Sequence, residues 1–238
     1  TQGYSSAASD VYKRQIKDFR SFYKSQNPFK MTSFDDKLHK MSEARGGYIN
    51  PYILEESERN MSQLDIFSKL MSKRQIFFGT DVNSDSANIV VSQLLYLDSV
   101  ENADITMYVN SPGGEVYSGN SILDCMDFVE SDIRTVCTGL AASFGAMILM
   151  CGTKGKRSAL RRATIMCHQP LGGASGQASM IEIECKEILR LKKDLYETIV
   201  EQTGKTYEEV EKLCDRDSWM TAQEALDFGI IDEIIRKK

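Results

Sequence analysis

The chain has 238 residues, 42% hydrophobic and 26% charged, and its 34 acidic side chains against 29 basic ones leave a formal charge of -5. That balance has the wrong sign for a general nucleic-acid binder. Its longest nearly uninterrupted apolar stretch, Leu140 to Gly152, falls short of the roughly 20 residues that a membrane-spanning helix needs, so neither nucleic acid nor membrane is an expected partner.

Residues 1 to 30 carry six basic and two acidic side chains, a net of +4 that leaves -9 for the remainder. This basic, Ser-rich start reads as an organellar transit peptide or a leader that is removed. The string from Ser5 to Gln15 also resembles a translated sequencing adapter, which would put the native start near Met31. Residues 1–47 are therefore set apart as leader, propeptide or non-native extension, and one domain is expected over 48–238. The expected location is the cytoplasm, or an organellar matrix if the leader is a transit peptide.

From residue 61 helical periodicity alternates with short β-branched runs, the pattern of an α/β protein with a largely parallel sheet. Leu64, Phe67, Leu70 and Met71 recur at helical spacing before the strand-like Gln75 to Phe78. Ala87, Val90, Val91, Leu94 and Leu95 mark a second amphipathic helix ahead of the strand Ile105 to Val109. A helix from about Glu115 to Val129 leads to the strand Ile133 to Thr138, a short apolar helix after Ser143, and the strand Thr164 to His168. Gly172, Gly173 and Gly176 then break regular structure. A long helix follows from about Ser179 to Gln202 with Ile181, Ile188, Leu195 and Ile199 on one face. It is too long for one small sheet to cover, which points to another subunit. Thr221 to Phe228 suggests a last helix.

Six cysteines without a C-x-x-C pair read as reduced core residues. The two histidines, His39 and His168, lie far apart without Cys or carboxylate neighbours at metal-ligand spacing, so no metal or other cofactor is expected.

Three segments carry the residue types of nucleophilic catalysis. Asn110-Ser-Pro-Gly-Gly114 follows a strand and precedes a helix. Its adjacent glycines open backbone conformations in which N–H groups converge on one point, as in an oxyanion site, although a plain tight turn has the same composition. Ser143, in Gly139-Leu-Ala-Ala-Ser-Phe-Gly-Ala146, stands between a strand and an apolar helix, where a serine is either a nucleophile or an N-cap. Its small neighbours suggest room for a substrate or another chain. The string is not the G-x-S-x-G of α/β-hydrolases, because Ala141 stands where the first glycine would be. His168 precedes Gln169-Pro170, where the proline holds Gln169 extended and so sets the histidine at a strand end. It is the one histidine of the domain and the obligatory base of any Ser-His relay. Asp215 and Asp217 are equally good orienting carboxylates by spacing.

Taken together, these segments resemble the proteolytic subunits of the ATP-dependent Clp proteases, from about residue 48 to the C-terminus. The strings that carry the resemblance are Asn110 to Gly114, Gly139 to Ala146, Gly155-Lys-Arg157, His168-Gln-Pro-Leu-Gly-Gly173, Gly176-Gln-Ala178 and Asp215-Arg-Asp217, in family order. The resemblance implies a repeated ββα spiral of the Clp-protease/crotonase type with a protruding handle helix. It implies Ser143 as nucleophile, His168 as base and Asp217 as its orienting carboxylate, with oxyanion donors on the backbone of Gly114 and Phe144. It further implies that Leu171, Gly172 and Gly173 pair with a substrate strand, and that Gln177, Asp215 and Arg216 join two stacked heptameric rings. The implied partners are an AAA+ unfoldase of the ClpX, ClpA or ClpC kind and unfolded protein substrates. Two positions depart from the pattern: Arg161-Arg162 replaces the usual Pro-Asn, and Phe144 stands where methionine is common. The alternatives are a crotonase-type acyl-CoA hydratase or isomerase, which shares the spiral but needs no Ser-His-Asp set, and a non-catalytic ring subunit.

Overall fold

A computed structural model describes residues 52–56 and 61–236. The expected leader over 1–47 and His39 lie outside the described residues. The described residues start with an antiparallel pair, β1 (Tyr52–Glu56) and β2 (Met61–Asp65), followed by α1 (Ile66–Met71), β3 (Gln75–Phe78) and α2 (Ser84–Val100). Then come β4 (Ile105–Ser111), α3 (Val116–Phe128), β5 (Ile133–Ala142), α4 (Phe144–Met150), β6 (Arg157–Leu160) and β7 (Thr164–Cys167). The last third holds α5 (Ala178–Thr203), α6 (Tyr207–Cys214), β8 (Ser218–Thr221), α7 (Ala222–Phe228) and β9 (Glu233–Ile235).

The α/β expectation holds, and the sheet is parallel along its main path β3-β4-β5-β6-β9. Strand β5 forks. With β4 along one edge, its first half pairs with β6 through Thr135 to Cys137, and its last three residues, Leu140 to Ala142, pair with β7. β7 in turn pairs antiparallel with β8. The expected strand ended at Thr138 because Gly139-Leu-Ala-Ala142 has no β-branched residue to announce it. Tertiary pairing extends it, helped by Asn110, whose Oδ1 accepts the Leu140 N–H at 3.0 Å.

In α2, Ala87, Val90 and Leu94 are buried as their spacing predicts and Leu97 joins them, but Leu95 is exposed, which corrects its place on the apolar face. In α4, all seven residues are buried. Helix α5 divides: Leu191, Tyr196 and Ile199 of its second half are buried, whereas Met180, Ile181, Ile183 and Leu189 of its first half are exposed.

One buried ion pair ties these pieces together. Arg157, 4% exposed, donates from Nη2 to Asp232 Oδ1 at 2.6 Å and from Nη1 to the carbonyls of Met150 and Gln202. It thereby joins the C-terminal ends of α4 and α5 to the turn before β9. Asp232 Oδ2 also accepts the N–H groups of Gly155 and Arg157. This places the Gly155-Lys-Arg157 string at a structural junction.

Of the six cysteines, four are buried and Cys151 is half-buried, but Cys185 is exposed on α5, which corrects the reading of all six as core. Among the described residues, no helix is long and apolar enough to cross a membrane, and no cluster of three or more His, Cys, Asp or Glu side chains is arranged to hold a metal ion.

Candidate active site

The turn after β4 is held from both sides. Ser111 Oγ donates to the Thr80 carbonyl and accepts the Gly113 N–H, while Val82 donates to the Gly113 carbonyl and accepts from Glu115. Gly113 has φ +91° and sits so close to α4 that a Cβ would lie 2.6 Å from the Ala142 carbonyl and 2.8 Å from the Phe144 nitrogen. At Gly114 a Cβ would meet the Val82 carbonyl at 2.1 Å. The two glycines are thus required by close backbone approach, beyond ordinary turn preference.

Ser143 occupies the junction of β5 and α4 with φ +52° and ψ -123°, a conformation that L residues rarely adopt. Its N–H donates to the Met166 carbonyl of the neighbouring strand at 2.8 Å, which pins the turn. Although it stands at the N-cap of α4, its side chain makes no capping bond. The Oγ instead lies 2.8 Å from His168 Nε2, and His168 Nδ1 lies 3.0 Å from Asp217 Oδ1. A sharp strand-to-helix turn that presents a hydroxyl to an imidazole is the geometry of an activated serine. The small residues around it do not leave the open space expected of them. Ala141, Ala142 and Ala146 are buried, and a Cβ on Gly145 would lie 2.7 Å from the Ser111 carbonyl, so this chain's own backbone fills that space.

Sheet register brings the other two groups together. His168 follows the last residue of β7, and Cys167 is paired with Ser218 of β8, so His168 and Asp217 face each other one step beyond the ladder. A second tie fixes the same corner: the Gln169 N–H donates to the Cys214 carbonyl at 2.7 Å and its side-chain amide to the Asp215 carbonyl at 2.9 Å. Asp215, the rival carboxylate, turns away as the C-cap of α6, with its Oδ2 3.8 Å from Arg216 Nε. His168 is largely shielded and Asp217 is open to solvent.

Beside Ser143 lies a cavity of about 300 Å³ bordered by Gly114, Phe144, Met147, Pro170, Leu195 and Tyr196. Leu171 also borders it and is 83% exposed. Leu171, Gly172 and Gly173 run in irregular backbone with no ladder partner, and Gly172 packs closely on Ile188. Gln177 is the N-cap residue of α5 without a side-chain cap bond, and Arg216 is on the surface. Arg161 borders a second cavity with Arg236; nothing in the structure explains why arginine stands there. The periodicity of α5 singled out Leu195 and Ile199, but gave no sign that Tyr196 also faces the cavity. Cys167 also borders the cavity, but burial pushes its thiol well above the ordinary cysteine value, away from the nucleophilic thiolate.

Known proteins of one family resemble this chain over most of its length. The family model described as Clp protease matches residues 57–238. An ATP-dependent Clp protease proteolytic subunit of Bacteroides fragilis (strain YCH46) is 50% identical over 222 residues, covering 93% of this chain and 99% of the relative. That alignment therefore reaches into the segment before Tyr48. A protein of the same description from Porphyromonas gingivalis (strain W83) is 52% identical over 194 residues, 81% of this chain and 87% of the relative. An ATP-dependent Clp protease proteolytic subunit 1 of Prochlorococcus marinus (strain MIT 9312) is 52% identical over 189 residues, 79% of this chain and 97% of the relative. With the family model spanning the whole described α/β unit except its first strand, and half of all aligned positions identical in these relatives, the chain belongs to the Clp protease family.

Proposed function

We propose that this chain is the proteolytic subunit of an ATP-dependent protease, a serine endopeptidase that cleaves unfolded polypeptide to short peptides. The observation that carries this reading is the Ser143 Oγ, which forgoes its helix cap and lies 2.8 Å from His168 Nε2. Ser143 attacks the scissile carbonyl while His168 takes its proton, and Asp217 holds the imidazole in the tautomer that presents a free Nε2. The tetrahedral oxyanion rests on the backbone N–H groups of Gly114 and Phe144, both of which border the cavity. His168 then protonates the leaving amine, and water releases the acyl-enzyme by the same relay in reverse. No step requires a group from outside the chain except water.

The exposed, irregular segment at Leu171, Gly172 and Gly173 has backbone groups free of a ladder, which suits it to pair with an extended substrate. Two stacked heptameric rings enclose the sites, with the apolar first half of α5, Gln177, Asp215 and Arg216 at the contact between rings. A hexameric AAA+ unfoldase feeds the chamber, in line with the ATP dependence in the relatives' names. The acyl-CoA hydratase reading has no observation in its favour, since such chemistry has no use for the Ser143-His168 contact.

The test is Ser143→Ala, assayed with a fluorogenic peptide beside wild type treated with a serine-reactive phosphonate and mapped by mass. The variant should lose roughly a million-fold in rate, and the label should sit on Ser143. Near wild-type hydrolysis by the variant, or a label elsewhere, would remove the serine from the mechanism.

A further inference from the structure

The first turn of α3 is tied to α5 across 70 residues of sequence: the Tyr117 hydroxyl donates to Glu187 Oε1 at 2.7 Å. A bond between exposed side chains is usually worth little, but here the acceptor is held still. Arg190 donates to both oxygens of Glu187, from Nε at 2.9 Å and from Nη2 at 2.7 Å, and is itself anchored by Asp194. A guanidinium gripping a carboxylate with two bonds fixes its orientation as well as its charge. Arg190, and then Tyr117, hold the Glu187 carboxyl down to about 2, so it remains an acceptor at any working pH.

Each end of this tie reaches one side of the cleft beside Ser143. Tyr117 is the second residue of α3, which starts two residues after Gly114, and a Cβ on Gly119 in the same turn would lie 2.2 Å from the Phe144 ring. The start of α3 has no side-chain cap, since the Glu115 carboxylate bonds Ser118 instead. At the other end, Ile188, next to Glu187, packs on Gly172, where a Cβ would lie 2.7 Å from its Cδ1. One turn of α5 therefore touches both the helix behind Gly114 and Phe144 and the segment assigned above to substrate pairing. Resting on the serine-peptidase reading, we propose that Tyr117 is a positioning residue: its bond to Glu187 sets the spacing between the turn at Gly114 and the segment at Gly172, so that one extended peptide engages both at once. The turn itself is held locally by Ser111 and Val82 and survives without the tie.

The experiment compares two fluorogenic substrates with the same leaving group and the same residue before the scissile bond. One is the acetylated single residue, which reaches only the serine and the Gly114 turn, and the other carries three further residues on its N-terminal side. The quantity read is the gain in kcat/KM on lengthening the substrate, which within one preparation does not depend on the fraction of enzyme that is folded or assembled. Tyr117→Phe, which removes one exposed oxygen, should cut that gain about fivefold, the equivalent of one ordinary hydrogen bond, while the short substrate changes little. Glu187→Ala should cut it equally, and the double variant no further, because both remove the same bond. A gain that stays at the wild-type value in either single variant overturns the proposal, as does a wild type that gains nothing from length. So does an equal fall on both substrates, which is what a merely structural role produces. If cleavage depends on Ser143 but the gain does not respond, only the role of Tyr117 fails; if cleavage survives Ser143→Ala, the peptidase reading fails first.

Discussion

Ser143 owes its position to strain that its neighbours hold in place. A non-glycine residue at φ +52° costs on the order of 1–3 kcal/mol and persists only where the surroundings over-determine it. Here the Met166 carbonyl grips its N–H, and α4 starts immediately after it. Gly113 presses on it directly, since its φ is +91° and a Cβ would push on Ala142, Ser143 and Phe144 together. Gly113→Ala should displace the nucleophile and the Phe144 N–H by a large fraction of an ångström, which is enough to lower kcat by roughly a hundredfold. The check is kcat of the purified variant with its circular dichroism compared to wild type. A folded variant with full activity would show that the turn has slack that this packing denies.

At the scale of elements, the forked strand β5 and the corner of β7 and β8 do the assembling. β5 delivers Ser143 at its end because Leu140 to Ala142 leave β6 behind and pair with β7. β7 delivers His168 on the adjacent strand, and the antiparallel β8 returns Asp217 opposite it. The ends of α4 and α5, which wall the cavity, are moored by Arg157 and Asp232. Asp232→Asn leaves a 4% exposed guanidinium without its counter-charge, and loss of one partner from such a pair costs about 3 kcal/mol. Burial alone would raise the Asp232 pKa, but its bonds to Arg157 and Gly155 outweigh this and hold it below the usual carboxylate value. Its stabilisation is therefore complete above the ordinary carboxylate pKa and is lost as pH falls through the depressed one. Urea melts across that acid range should show wild type losing more stability than the variant, so that the two curves converge. Parallel curves would mean that Asp232 does not titrate with folding.

For the whole molecule, the unmet demand is the first half of α5, where Met180, Ile181, Ile183 and Leu189 remain exposed. Apolar residues grouped along one helix in this way call for a partner surface. Asp215 and Arg216 lie two residues and one residue from Asp217, so a contact made there reaches the relay through a very short stretch of backbone. If those charges join two rings, Arg216→Glu should release smaller particles, most completely at low salt where repulsion is least screened. Peptide cleavage should fall on the order of a hundredfold as Asp217 loses its alignment. Light scattering and a peptide assay on one sample decide it. Full-sized, fully active particles would make Arg216 an ordinary surface charge and end the proposed coupling.

Much of this was legible before any fold was known. The alternation of elements, the Gly pair at 113 and 114, the serine before an apolar helix and the lone histidine of the domain all follow from local periodicity and residue chemistry. Helix α6 was also within reach, since Thr206 and Glu209 form a capping box that the sequence displays as T-x-x-E. Strands β6, β8 and β9, of four, four and three residues, carry too little pattern to announce themselves and exist because a neighbour offers a ladder. The choice between Asp215 and Asp217 was of the same kind. Two carboxylates two positions apart are equivalent to any spacing argument, and the register of Cys167 on Ser218 alone turns one of them to His168. The bond that Tyr117 makes to Glu187 was the least visible of all. A helical pattern records which residues are apolar, whereas whether a polar atom has a partner depends on every chain segment that packs around it, and that is decided only in three dimensions.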